Sequence, residues 1–242
     1  MDSELFYNTL TVFIMFASFI VILLLSLRIY TRDSDHTYIE MSFILGLVFS
    51  GIASLMGGIF RLQYVLVPDE PSDIWLYGSL FYYVFMFLAL LFIFLSAVAI
   101  NYDRKKYNYG LLGILGVFLI LFPYISEIFE LPAGIWIFNG TANVEVNFLG
   151  AVLIFGPILF LIFANIYIYF FIYRETNFFG AKMIVIGMIV VLVSSLVGVV
   201  TDFFTEENIR LIDVSAYVFV LLGVSLMALG FFKSIKSTEG IS

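Results

Sequence analysis

The run IWLYGSLFYYVFMFLALLFIFLSAVAI at residues 74–100, then NYDRKKYN at 101–108, then YGLLGILGVFLILFPYISEI at 109–128 decides how this chain is read. The first run is uncharged and the last carries only Glu127 close to its end, so neither could keep a polar face in water. About 20 consecutive apolar residues in a helix cross a hydrocarbon core roughly 30 Å thick. In lipid every backbone N–H and C=O must be satisfied within the spanning structure, which leaves helices or closed barrels. Strict alternation is missing from both runs, so helix is the choice. The eight residues between them, with Asp103, Arg104, Lys105 and Lys106, form a basic turn outside the core.

Working outward, the pattern repeats. Seven crossings are expected at about Leu5–Leu27, Ile39–Phe60, Ile74–Ile100, Tyr109–Ile128, Asn147–Tyr173, Ala181–Phe203 and Val214–Phe232. A composition 63% hydrophobic and 12% charged cannot cover a water-soluble surface, so the fold class is an all-α integral membrane bundle. Residues 1–242 read as one seven-helix domain with a short tail at 233–242. The acidic start, Met1-Asp2-Ser3-Glu4, and the long apolar run behind it do not match a cleaved signal peptide, so this run is expected to remain as the first helix.

Charge orients the bundle. Arg28, Arg32, Arg104, Lys105, Lys106, Arg174, Lys182, Lys233 and Lys236 flank one set of turns and the tail, while Arg61 and Arg210 lie on the opposite side. The excess of basic residues marks the cytoplasmic side. The N-terminus is then outside and the C-terminus cytoplasmic, in a multi-pass protein of the cell membrane. Twelve of the eighteen acids fall on the outer side, including Asp69, Glu127, Asp202 and Asp213. Tyr167, Tyr169, Tyr173, Trp75 and Tyr77 cluster near the expected interfaces, where amphipathic rings suit the headgroup zone.

The longest outer connection joins crossings four and five. Ile135-Trp136-Ile137-Phe138, Asn139-Gly140 and Val144-Glu145-Val146 read as a short extracellular β-hairpin, because Asn-Gly readily takes the positive φ angles of a tight turn. Asn139-Gly140-Thr141 is also a glycosylation acceptor pattern.

Small residues suggest how the helices pack. Gly46, Ser50, Ser54 and Gly58 recur every four residues on the second crossing; Gly187, Ser194 and Gly198 do something similar on the sixth, and Gly110, Gly113 and Gly116 thin the fourth. Such faces let backbones approach where lipid removes the hydrophobic drive for association. Contacts inside one bundle are the first use for them and a homodimer seam the second. Gly156-Pro157 removes a backbone donor in the fifth crossing, so a kink or hinge is expected there.

Several chemistries lack their parts. His36 is the one histidine and cysteine is absent, so bis-histidine haem, zinc hydrolysis and a serine–histidine triad are excluded. Retinal needs a lysine within the bundle, and Lys233 lies at the end of the seventh crossing. None of the seven cores carries a midplane acid or base of the kind coupled transporters use. No enzymatic activity, catalytic residue, cofactor, metal or nucleic-acid partner is expected.

The polar groups that enter the membrane gather at its outer edge. Arg61, Tyr64, Tyr124, Glu127 and Asp202 are the candidate lining of a small outward-facing ligand pocket, with Arg61 pairing to Asp202 or Glu127. A structural ion pair closing that end is the competing explanation. Asn165 is the deepest strongly polar side chain, and an interhelical hydrogen bond is its ordinary role. Arg104, Lys105 and Lys106 are the candidate face for anionic headgroups or a cytoplasmic partner.

The segment Gly134-Ile135-Trp136-Ile137-Phe138, the Gly156-Pro157 step in an aromatic-rich helix and the small-residue sixth crossing resemble the seven-helix input region at the N-terminus of some prokaryotic histidine kinases and related signalling proteins. The resemblance covers nearly the whole chain. It implies a sensor whose output, with only Lys233–Ser242 beyond the last crossing, passes to a separate cytoplasmic protein unless the chain is truncated. The alternatives are an accessory subunit of a membrane complex and an uncoupled facilitator for a small solute, which would thread Asn165, Ser194, Ser195 and Thr201.

Overall fold

The helices run past the lipid-length segments at most of their ends, because a helix does not stop where hydrocarbon does. A computed structural model describes residues 3–32, 37–66, 73–101, 109–128, 136–138, 144–146, 148–201 and 207–238. The helices are α1 (Ser3–Tyr30), α2 (Tyr38–Leu66), α3 (Asp73–Asn101), α4 (Tyr109–Ile128), α5 (Phe148–Thr176), α6 (Phe179–Thr201) and α7 (Glu207–Thr238). All seven are long and apolar enough to cross a membrane, so this is a multi-pass membrane protein. Helix α7 starts well before Val214 because Glu207, Arg210 and Leu211 favour helix outside lipid as well as in it. Two short strands, β1 (Trp136–Phe138) and β2 (Val144–Val146), pair antiparallel with Ile137 opposite Glu145.

Local signals set the helix ends. Thr37 and Glu40 form a reciprocal capping box at the start of α2: Glu40 accepts from the Thr37 N–H at 2.8 Å, and Thr37 Oγ1 accepts from the Glu40 N–H at 3.3 Å. The turn from α5 to α6 depends on Asn177, which takes a left-handed φ of 50° while its N–H donates to Tyr173 O at 2.8 Å. Asparagine tolerates that conformation, so α5 ends without a glycine.

Six helices form a closed ring in the order α1, α2, α3, α5, α6, α7 and back to α1, and α4 lies outside it against α3 and α5. The basic end of the bundle is the one where α1, α3 and α5 finish; the acidic end is opposite. Buried side chains of Phe43, Leu47, Ile93, Leu161, Ile184, Met188 and Met227 belong to the core, and the Phe87 ring packs against Gly116 of α4.

Glycine lets paired backbones touch. A Cβ added at Gly187 would lie 2.5 Å from Gly223 O, and one at Gly223 would lie 2.7 Å from Gly187 O. Gly180 and Gly230 face each other in the same way, so two glycine pairs register α6 antiparallel to α7. Between α2 and α3 the close approaches are Gly46 to Ile93 and Ala89, Gly57 to Tyr82, and Gly78 to Phe60.

The small-residue stripe on α2 is not one face against one neighbour. Gly46 meets α3, whereas a Cβ on Gly58 would be 2.9 Å from Phe16 of α1. Steps of four residues advance about 40° around a helix beyond a full turn, so three steps carry the stripe about 120° from one partner toward another. At the Gly156-Pro157 step expected to kink, α5 spans both residues as one helix, and nothing lies within 4 Å of where a Gly156 Cβ would be.

Gly187→Ala should lower stability by about 1–3 kcal/mol, the usual penalty for overpacking, because the neighbour at Gly223 is backbone and cannot rotate away. Gly156→Ala, with open space around it, should melt within about 0.5 kcal/mol of the parent or above it. Thermal melting of both variants in one detergent checks the contrast.

Candidate functional site

At the acidic end, Arg61 reaches from the last turns of α2 to α7. Its Nη2 donates to Tyr217 Oη at 2.9 Å, and the guanidinium carbon lies 5.7 Å from the centre of the Tyr217 ring and 5.9 Å from that of Phe60. A guanidinium at the lipid boundary needs both polar and π partners to offset lost hydration, and this arrangement supplies both.

Beneath this contact is a central cavity of about 60 Å³, to which all six ring helices contribute. Ser18, Ser50, Ser54, Tyr82 and Tyr217 are among its lining residues, with Met15, Met86 and Met227. The serines direct protons to their own helices: Ser18 Oγ donates to Ile14 O at 2.7 Å and Ser54 Oγ to Ser50 O at 3.2 Å. What remains toward the space is mostly apolar surface edged by hydroxyl oxygens, which act as acceptors. The volume is far below the roughly 300–1,000 Å³ of drug-sized sites, so only a molecule of a few atoms fits.

Of the five residues expected to line a pocket, the structure describes the side chains of Arg61 and Tyr124, and they serve different links. Tyr124 is buried and its hydroxyl donates to Ser79 Oγ at 3.2 Å, tying α4 to α3, while Arg61 ties α2 to α7. The side chains of Tyr64 and Glu127, and Asp202 altogether, lie outside the described residues, as do Arg104, Lys105, Lys106 and Asn139.

Asn165 takes the interhelical role expected of it. It is fully buried, and its Nδ2 donates to Leu90 O of α3 at 3.0 Å and to Leu161 O at 2.9 Å. About one turn further along α5 toward the basic end, Ser96 Oγ and Tyr169 Oη lie 2.8 Å apart, with Ser96 also donating to Ile93 O at 2.7 Å. Tyr169 is therefore not an interfacial belt residue. It is 2% exposed while Tyr167 is 70% exposed, since two residues are about 200° apart around a helix. Spacing within the tyrosine run is the signal that could have separated them.

At the basic end a second set of contacts holds α7. Arg32 Nη1 donates to Phe232 O at 3.2 Å, and the Arg28 and Arg32 guanidiniums lie 5.6 and 4.8 Å from the Phe232 ring centre. Phe43 of α2 stacks on Phe231 with centroids 3.9 Å apart. No sequence periodicity points to these residues, because each pair joins elements far apart along the chain. Comparison with known proteins finds no matching family model, curated protein or solved structure.

A double-mutant cycle on Arg61→Ala and Tyr217→Phe should give a coupling of at least about 0.5 kcal/mol in thermal or denaturant unfolding. Strictly additive effects would mean the contact contributes nothing to holding α2 to α7.

Proposed function

We propose that this chain is a non-enzymatic, receptor-like membrane sensor that passes a signal from outside the cell or from the bilayer to a separate cytoplasmic protein. The observation that carries this reading is the attachment of α7 at both ends by arginines of other helices, Arg61 at the acidic end and Arg28 and Arg32 at the basic end. A ligand that competes for the Arg61 guanidinium weakens one attachment and biases the position of α7, which continues to Thr238 through most of the segment expected as a tail. Differential affinity for the two positions is all such a switch requires.

In this reading the acidic end and the β1–β2 hairpin face outward, and the basic end, with Arg104, Lys105 and Lys106, is the cytoplasmic partner face. The accessory-subunit reading has a specific support of its own. Leu111, Ile114, Leu115 and Phe118 of α4 form an exposed apolar face that another membrane subunit could cover. The facilitator reading has less, since Asn165 bonds across to α3 and Ser194 Oγ donates to Val190 O at 2.6 Å.

Spin labels on Tyr30 of α1 and Leu229 of α7 report the basic end. With Arg61→Gln their separation should shift by about 1–2 Å, the scale of helix displacements in switching proteins. An unchanged distance distribution alongside a normal melt would remove the sensor mechanism. Orientation is checked separately in intact cells: a membrane-impermeant thiol reagent should label Glu206→Cys and leave Lys105→Cys unlabelled. The opposite pattern would invert the assignment of the two faces.

A further inference from the structure

We infer that Arg28 and Arg32 of α1, gathered around the Phe232 ring of α7 at the basic end, bind the phosphodiester of an anionic phospholipid headgroup. Arginines four residues apart share one face of a helix, where like charges repel each other. Phe232 holds them together: the Arg28 and Arg32 guanidinium carbons lie 5.6 and 4.8 Å from its ring centre. A ring contact offsets part of the charge without consuming the N–H donors of either guanidinium. Arg32 Nη1 does donate to Phe232 O at 3.2 Å. That carbonyl lies inside α7, which continues to Thr238, so it also serves the helix's own ladder. A phosphate oxygen is the stronger acceptor, because hydrogen bonds between charged groups are roughly twice as strong as neutral ones, and its geometry suits a planar guanidinium fork.

Depth assigns the phosphate to a lipid. The apolar span of α1 ends at Tyr30 and that of α7 ends at Phe232. Two spans that finish beside the same contact place it where hydrocarbon gives way to headgroups, the level to which arginines extend their charged ends. One turn deeper on the same helix faces are Leu24 of α1 and Leu229 of α7, 60% and 47% exposed. They give an acyl chain apolar surface beneath the two charges, and Arg28 is itself exposed to an approaching headgroup. A free phosphate gains nothing from that surface.

Charge chooses among lipids. Phosphatidylcholine carries its own cation, whereas phosphatidylglycerol does not, and a basic residue at a membrane surface favours anionic lipid by about five-fold. The site requires nothing of the sensor reading and stands or falls apart from it.

The test is native mass spectrometry of the full chain released from detergent micelles doped with equal amounts of phosphatidylglycerol and phosphatidylcholine. The parent should retain phosphatidylglycerol preferentially, and Arg28→Gln with Arg32→Gln should cut that preference about five-fold for each arginine removed. Arg174→Gln, which removes an exposed charge from the end of α5 on the same side, should leave it nearly unchanged. Arg28→Lys with Arg32→Lys keeps both charges but not the planar forks, so it too should lose most of the preference, and it decides the matter if the Gln pair does not fold. A parent without preference, a loss as large with Arg174→Gln, or full retention in the Lys pair would overturn the site in favour of diffuse surface charge. Millimolar inorganic phosphate, added to the parent with phosphatidylcholine alone, should not raise its melting temperature, whereas phosphatidylglycerol should. Equal stabilisation by the two would overturn the lipid assignment and give the arginine pair to a soluble anion.

Discussion

Direct contact between α3 and α5 is the constraint on which the arrangement of the bundle depends. Helices in lipid gain nothing from burying apolar surface against one another, so association rests on close packing and on polar groups that find partners across an interface. Asn165 bonding to Leu90 O, and Tyr169 meeting Ser96, place two such links along one seam. Each is worth only about 0.6 kcal/mol on average, yet both act at the same interface and both side chains are fully enclosed. The seam closes the ring of six helices and leaves α4, which lies between α3 and α5 in sequence, on the outside. The open groove beside α4 follows from that displacement.

Glycine distributes rigidity around the ring. The reciprocal pairs Gly180–Gly230 and Gly187–Gly223 bring the α6 and α7 backbones together without intervening side chains, whereas between α2 and α3 the glycines make room for side chains, Gly46 for Ile93, Gly78 for Phe60 and Gly57 for Tyr82 and for Met15 of α1. Tight hairpins of this kind move as units when they move at all. Helix α7 belongs to one unit and is tied to α1 and α2 by side chains, through Arg61 at one end and Arg28 and Arg32 at the other. A rigid hairpin with polar attachments is the mechanical basis of the proposed sensor. The small central cavity matters here chiefly as space beside Tyr217 into which side chains can repack.

The acidic-end cluster shows how a sequence grouping divides in three dimensions. Arg61 and Tyr124 both end even-numbered helices and so share a membrane depth, but depth is a single coordinate. Position around the ring assigns one to the α2–α7 contact and the other to the α4–α3 contact. The same geometry separates Tyr167 from Tyr169 on α5 and Gly46 from Gly58 on α2.

Composition and order along the chain determined by themselves that this protein spans a membrane with seven helices, and placed each apolar run on its helix, within three residues at every end except the end of α2 and both ends of α7. The reason is that backbone satisfaction in lipid is a local requirement, met inside each segment by residues next to one another. Lateral order was decided only by the tertiary structure: the exclusion of α4 from the ring, the partner of Arg61, the glycines of α7 that face α6, and the inward turn of Tyr169. Those outcomes depend on which helix lies beside which, and in a medium as apolar as the helices themselves no hydrophobic pattern along the chain records that choice.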